Sequence, residues 1–467
     1  MSGLDASFLY FETPTMHMHV LGTVIIDPST APHGWSASSV RDLLNDRLDL
    51  IPPFRRRLLP AALRLHHPVW VDVPDVDVAA HLTQVDCPAP GGMADLAALV
   101  ADFAGRKLDR SRPLWEVLVV DGLERGRVAL VFKVHHSAVD GVGAAALLGG
   151  MFDLTPQGRT PEQDAQARLE AAQSRHTQPA MLHRLTHTAT GIVMRPLGLA
   201  RLVPTAVRSV TQLVRSRTGE GATTGGAAPF DAPRAPFNGR ISSHRVVAYV
   251  DIAVADVKAV KKALGGTFND VLLTVCGGAF RSYLAARDAL PDSSLVAVCP
   301  VSVRSEGAEQ RGNAVSAISA TLGTDLADPR ERLAAVHCST DAGKADLTAL
   351  GGDLLEQAME FASPTMMTFM ARVYSATRLA DLHPVVHNVV ISNIAGPPVQ
   401  LYLAGGAIEG LYPLGPVLEG PGLNITVVSY LDRVGFGFIA CAERMPDVAD
   451  LAAAVPVALA ELVAAAG

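Results

Sequence analysis

The stretch Val128-Ala129-Leu130-Val131-Phe132-Lys133-Val134-His135-His136-Ser137-Ala138-Val139-Asp140-Gly141 decides how this chain is read. Its apolar run, Val128 to Val134, predicts a strand. Successive side chains on a strand point to opposite faces. With the strand carried through the pair, His136 shares a face with Val128, Leu130, Phe132 and Val134. His135 shares the other with Val131 and Lys133. The adjacent histidines are therefore expected to do different jobs. A neutral imidazole at the end of a buried strand is a good general base near neutral pH. Asp140 and Gly141 then turn the chain before a small-residue helix, Val142 to Met151. A second pair, His66-His67, lies in Leu65-His66-His67-Pro68-Val69-Trp70 and has no Asp-Gly after it; it carries no catalytic weight.

The 467 residues exceed what one simple core organises, so two domains are expected. The chain is 49% hydrophobic and 18% charged, the balance of a folded protein rich in apolar side chains. A net charge of −7 argues against a general nucleic-acid binder. The five cysteines are scattered and lack C-x-x-C spacing, which fits a reducing cytoplasm better than a disulfide framework or a zinc site. Met1 to Ala6 shows neither a basic start nor an apolar core, so no signal peptide is expected. The longest uncharged stretch, about Pro384 to Ile408, is broken by Asn, Ser, Gly and Pro, and no membrane-crossing helix is expected.

Strands and helices alternate up to about Thr155. Val20 to Ile26 reads as a strand and Ala94 to Lys107 as a helix. Trp115 to Val120 and Val128 to Val134 read as a strand pair turning at Gly122 to Gly126. The character changes after Gln157, and Gly219 to Pro236 reads as a linker. Alternation resumes with a strand at Arg245 to Ile252, helices near Val257 to Leu264 and Asp270 to Ala286, and a buried strand at Leu295 to Val303. Late strands end at Val434 to Ala440, before an Ala-rich closing helix. The expected domains are residues 1–156, a crossover at 157–240, and residues 241–467.

The string His135-His136-Ser137-Ala138-Val139-Asp140-Gly141 resembles the H-H-x-x-x-D-G signature of the CoA-dependent acyltransferase superfamily. Further boxes narrow the resemblance to the bacterial wax ester synthase/diacylglycerol acyltransferases. They are Leu4-Asp5-Ala6-Ser7-Phe8 with Glu12-Thr13-Pro14; Pro113-Leu114-Trp115; Asn269-Asp270; Pro300-Val301-Ser302-Val303-Arg304 with Gly312-Asn313; Ser392-Asn393 with Gly396-Pro397; and Gly422-Leu423-Asn424-Ile425-Thr426 with Ser429-Tyr430. These boxes run in order along almost the whole chain outside the crossover. At Ala395 the family commonly carries proline. The resemblance implies a two-domain α/β fold of the chloramphenicol acetyltransferase-like type, with mixed sheets, helices and an active-site tunnel at the domain interface. It implies His136 as the base, His135 in support, and Asp140 and Gly141 shaping the loop. Acyl-CoA is the implied co-substrate, with no further cofactor and no metal. Diacylglycerol or a long-chain alcohol is the implied acceptor, giving triacylglycerol or wax ester. Such acceptors imply a cytoplasmic enzyme in peripheral contact with the membrane or lipid inclusions. Two alternatives remain open: a carrier-protein-dependent or condensation-type relative, and a catalytically silent lipid-surface protein.

Each box also has a local reading. Pro113-Leu114-Trp115 reads as packing. Asn269 is balanced between capping the helix after it and supporting catalysis. Arg304 closes a buried strand and needs a carboxylate; by analogy with the superfamily, Asp140 is the expected partner. Ser392, Asn393 and Thr426 are assigned to a tunnel wall or oxyanion donation, with turn capping as the alternative. Gly141-Val142-Gly143-Ala144-Ala145-Ala146 meets a relaxed dinucleotide pattern, but His135 to Asp140 separates it from the strand, so helix packing is preferred. Met359, Met366, Met367 and Met370 read as core, with an acyl-tunnel wall as the alternative. Arg184, Arg195, Arg201, Arg208, Arg215 and Arg217 lie among aliphatic residues without Asp or Glu, which predicts a segment for anionic membrane surfaces.

Overall fold

The computed structural model describes residues 1–60, 67–139, 149–173, 231–302, 315–350, 359 and 363–467. Asp140, Gly141, Arg304, Gly312, Asn313 and the arginine-rich segment lie outside the described residues, as does the expected Asp140–Arg304 pair. Two six-stranded sheets organise the chain. The first runs, in order, β11 (Tyr402–Leu403), β12 (Gly406–Leu414), β1 (His19–Asp27), β6 (Val128–His135), β5 (Trp115–Asp121) and β4 (Leu82–Asp86). The second runs β7 (Arg245–Ala253), β14 (Arg433–Cys441), β13 (Leu423–Tyr430), β10 (Val389–Ala395), β8 (Val296–Ser302) and β9 (Val315–Thr321). Arg56–Leu59 and Val69–Asp72 form a small antiparallel pair, β2 and β3. Both large sheets mix parallel and antiparallel neighbours, and the two-domain α/β expectation holds.

Strand β6 behaves as its alternation predicts. Val128, Leu130, Phe132 and Val134 enter one core cluster, with Trp115, Val117 and Phe54. Ala129 and Val131 enter another, with Leu96, Val100 and Phe103 of the helix Met93–Gly105. All eight residues of the strand are buried. Trp115 is packing, as expected: it is fully buried, stacks between Phe54 and His81, and donates its indole N–H to the Phe54 carbonyl.

The first sheet is completed by the far end of the chain. β12 pairs antiparallel with β1, from Leu21 opposite Leu414 to Asp27 opposite Ala407. A domain boundary at 240/241 therefore does not divide the strands between the sheets, because Tyr402–Leu414 belongs to the first sheet. β12 also lies against β13 and β14 of the second sheet. Glycines permit the approach: a Cβ on Gly437 would collide with the Pro413 carbonyl, and one on Gly435 with that of Leu411. Tyr412 on β12 donates 2.6 Å to Asp251 on β7.

The closing helix, Val448–Ala466, is long and apolar enough by composition to cross a membrane. From the sequence it reads as the Ala-rich closing helix, and no membrane-crossing helix is expected. Its Leu451, Ala452, Val455, Ala458, Leu459 and Leu462 nevertheless pack into the core of the second sheet, and the helix carries Pro456, Asp450 and Glu461.

Gly437→Ala is expected to destabilise the fold by about 1–3 kcal/mol, because the new methyl meets backbone that cannot retreat. Urea unfolding measures this. Gly22→Ala in β1, where a Cβ meets nothing within 4 Å, should leave the midpoint nearly unchanged.

Candidate functional site

β6 ends at His135, one residue short of the expected phase. His136 begins a single 3-10 turn, His136–Ala138. Backbone hydrogen bonds fix both residues: His135 N–H donates 3.0 Å to the Leu114 carbonyl, and His136 N–H donates 2.8 Å to that of Met18. Met18 sits just before β1 in a left-handed conformation, φ 51°, uncommon for a residue with a Cβ.

The His135 ring is fully engaged. Its Nδ1 accepts the Ser137 amide N–H at 3.1 Å, so the proton resides on Nε2, which donates 3.1 Å to Glu12 Oε2. Ser137 Oγ lies 2.8 Å from the same Nδ1. Glu12 follows the helix Gly3–Phe11 as its C-cap and also receives Lys107 at 2.9 Å and Arg110 at 2.6 Å. Burial alone would raise the Glu12 carboxyl; the His135 hydrogen bond and the Arg110 and Lys107 charges hold it well below the usual carboxylate range. Burial lowers the His135 pKa despite Glu12, so this imidazole stays neutral near pH 7. Lys133, on the same face, is fully buried and satisfied by Glu116 at 2.8 Å and by the Phe103 and Arg106 carbonyls.

His136 differs in its partners. Phe8, from the helix Gly3–Phe11, stacks on its ring at 4.0 Å between centroids and 19° between planes. Its Nδ1 is buried with no hydrogen-bond partner among the described residues. Burial, with a smaller contribution from neighbouring His135, pushes its pKa down to about 4. At neutral pH the ring is uncharged and able to accept a proton. His17 and His19 lie nearby, their rings 5.5 Å apart, with His19 edge-on to His135 at 6.0 Å. Burial lowers the pKa of both.

The remaining site residues gather on the second half. Asp270 caps the helix Phe268–Ala285 through a reciprocal pair with Thr267. Its oxygens also accept from Thr340 at 2.7 Å and His337 at 2.9 Å, so Asp270 is a structural tie between two helices. Asn269 receives the Asn393 amide at 3.3 Å, which brings two sequence-predicted residues together. Ser392 and Thr426 are register partners on β10 and β13. The Thr426 hydroxyl donates 2.8 Å to Asn424 Oδ1, so its proton serves that side chain rather than an oxyanion. No hydrogen bond joins this group to the histidine turn among the described residues. The halves meet through the helix Pro364–Ala376, which packs on Gly3–Phe11, through Thr15 Oγ1 and Ser375 Oγ at 3.3 Å, and through Arg245, which donates to the Thr15 carbonyl. Among the described residues no group of three or more His, Cys, Asp or Glu side chains is arranged to hold a metal. Sequence reasoning quoted Phe8 and Glu12 only as part of an opening box and gave neither a role.

Titration of the His136 imidazole by NMR should give a pKa near 4. Phe8→Ala, which admits water to the ring, should move it up toward the ordinary value of about 6.5. Because the folded pKa lies below the unfolded one, this residue's contribution to stability falls as pH drops from about 6.5 to about 4. Glu12→Ala should cost about 1–3 kcal/mol at pH 7 through the unpaired His135 donor. That difference should shrink as pH falls below about 4.3, the unfolded carboxyl value. Urea titrations of both proteins at several pH values check this.

The assembled features match known proteins along the full chain. The family model for the wax ester synthase/diacylglycerol acyltransferase catalytic domain matches residues 1–272, and that for the WS/DGAT C-terminal domain matches residues 311–463. A Mycobacterium tuberculosis (strain CDC 1551 / Oshkosh) protein, provisionally named a diacylglycerol O-acyltransferase, is 36% identical over 465 residues, covering 99% of this chain and 89% of the relative. The solved wax ester synthase/diacylglycerol acyltransferase from Marinobacter aquaeolei VT8 superposes with a TM-score of 0.66 at 28% identity, covering 99% of this chain and 98% of that one. The first condensation domain of the CDA synthetase shares the fold, with a TM-score of 0.52 at 14% identity. A neutral, half-buried histidine in the turn that follows a central strand, on a two-sheet fold whose chain these two family models cover over most of its length and this relative over 99%, places the chain in the wax ester synthase/diacylglycerol acyltransferase family, as an acyltransferase.

Proposed function

We propose that the enzyme transfers a fatty acyl group from acyl-CoA to the free hydroxyl of diacylglycerol, and also to long-chain alcohols. The observation that carries this is the state of His136: neutral, desolvated, stacked on Phe8, with a ring nitrogen unclaimed by any described residue. A hydroxyl needs a base at the moment its oxygen attacks a carbonyl, and a thioester needs no further activation. In this reading His136 takes the hydroxyl proton as the new C–O bond forms. The C–S bond then breaks, and the same proton passes to the departing CoA sulfur. Neither an acyl-enzyme nor a metal is required. His135 does not move protons here, since both its nitrogens are engaged; it holds Ser137 and hence the turn that presents His136. The Mycobacterium relative, provisionally a diacylglycerol O-acyltransferase, supports the glyceride acceptor, and the Marinobacter wax ester synthase/diacylglycerol acyltransferase supports both products. Water-insoluble acceptors place the enzyme at the surface of a membrane or lipid inclusion.

Purified enzyme offered acyl-CoA with diacylglycerol and hexadecanol in competition tests the donor and both acceptors. His136→Ala should lower kcat by roughly 10²–10⁴ while circular dichroism stays native. Near-normal turnover in that folded variant would remove His136 as the base. Product formed only from a carrier-protein-bound acyl group would remove acyl-CoA as the donor.

A further inference from the structure

The helix Pro364–Ala376 turns apolar side chains to both its faces. Inward, Pro364 is buried, and Met367 packs against the cluster of Ala6, Leu9 and Tyr10. Outward, Met366, Phe369 and Met370 are 59%, 61% and 57% exposed. Their spacing of three and four residues sets them side by side on one helical face. The sequence reading placed Met366 and Met370 in the core or a tunnel wall; only Met367 of the three goes inward. Beyond the helix, Arg378 adopts a left-handed conformation, φ 56°, at the start of the short helix Leu379–Leu382, and Leu382 is 76% exposed.

The charges on this face have one sign. Arg372, on the same side of the helix as Phe369, and Arg378 are exposed, and neither forms an ion pair with a described residue. From Ser363 to Ala380 there is no Asp or Glu. The next acid, Asp381, is held by Arg444 and the Arg240 amide. In a chain of net charge −7 this face is cationic as well as apolar. Scattered exposed apolar residues are ordinary, whereas several large ones on a single helix mark a contact surface. Aliphatic, aromatic and sulfur-bearing side chains bordered by unpaired arginines fit the interfacial region of an anionic lipid layer, where the side chains enter the acyl boundary and the guanidinium groups meet headgroup phosphates.

We infer that the outer face of Pro364–Leu382 seats the enzyme on an anionic lipid surface. The inference rests on the lipid-acceptor reading given above and names the face that serves it. The location is apt. This helix packs on Gly3–Phe11, whose Phe8 stacks on His136, so one helix separates the lipid-facing side chains from the base.

Flotation of the full chain with phosphatidylcholine vesicles, with and without phosphatidylglycerol, tests the assignment. The wild type should float best with phosphatidylglycerol, and less as salt rises. The triple variant Met366→Ser, Phe369→Ser, Met370→Ser should weaken partitioning by about tenfold or more. Arg372→Gln with Arg378→Gln should weaken it by about fivefold per arginine on phosphatidylglycerol vesicles and leave phosphatidylcholine binding unchanged. Transfer to a short soluble alcohol should stay within about twofold of wild type in every variant, while transfer to dispersed diacylglycerol falls with binding. Vesicle binding indifferent to both sets of substitutions overturns the inference. So does a triple variant of native thermal stability that loses turnover on both acceptors equally, and so does loss of self-association by ultracentrifugation with vesicle binding intact. The two readings fail separately. Binding that depends on this face without acyl transfer to any hydroxyl removes the proposed reaction and keeps the docking face. Transfer to diacylglycerol with face-independent binding does the reverse.

Discussion

Burial of β6 on both faces is the constraint from which the site follows. A strand with no solvent side cannot carry an unpaired polar group cheaply, yet this one ends Lys133-Val134-His135 and runs directly into His136. The fold answers for each in turn. Lys133 is met by Glu116 and two carbonyls, and His135 by Glu12 and the Ser137 amide. His136 receives an aromatic face on its ring, and no described residue claims its Nδ1. His136 thus stands apart from Lys133 and His135, whose polar atoms are met, and shares with the nearby His17 and His19 a buried Nδ1 that no described residue claims. Its neutrality at physiological pH needs no partner, since exclusion of water suffices.

The helix Gly3–Phe11 converts that strand end into a usable site. It delivers Phe8 to the ring, positions Glu12 at its end for His135, and offers its outer side to Pro364–Ala376. Stacking, electrostatics and the junction of the two halves therefore pass through one short element near the amino end. Glu12 touches no reacting atom in the proposed chemistry, but it fixes the tautomer of the residue that caps the His136 turn.

The local elements were legible because their periodicities are local. β1, β5, β6, β7, β8 and β14 fall within a residue or two of where alternation puts them, and the helix Met93–Gly105 starts as expected and stops two residues early. The histidine phase was readable up to His135, where the chain bends into a 3-10 turn that alternation does not encode. What could not be read were pairings across long sequence distance. Nothing near His135 names Glu12 as its partner, and nothing near Asp270 names Thr340 and His337. The methionines of Pro364–Ala376 carry a helical apolar pattern that does not say which side meets the core; the fold turns Met367 in and Met366 and Met370 out. Asp140, Gly141 and Arg304, where the resemblance is most specific, fall outside the described residues.

The pairing of β1 with β12 also orders the events of biosynthesis. β1 ends at Asp27 and its partner begins at Gly406, so the ribosome must make most of the chain before that edge finds its neighbour. Until then β1 presents unsatisfied amides and carbonyls beside strongly apolar side chains, the arrangement most open to pairing with another nascent chain. Contacts this distant also slow the search for the native state. A fragment ending before Gly406 would keep the His136 motif and still lack the strand that closes its sheet. The amino-terminal half is therefore an incomplete folding unit, and its maturation waits on the carboxyl-terminal one.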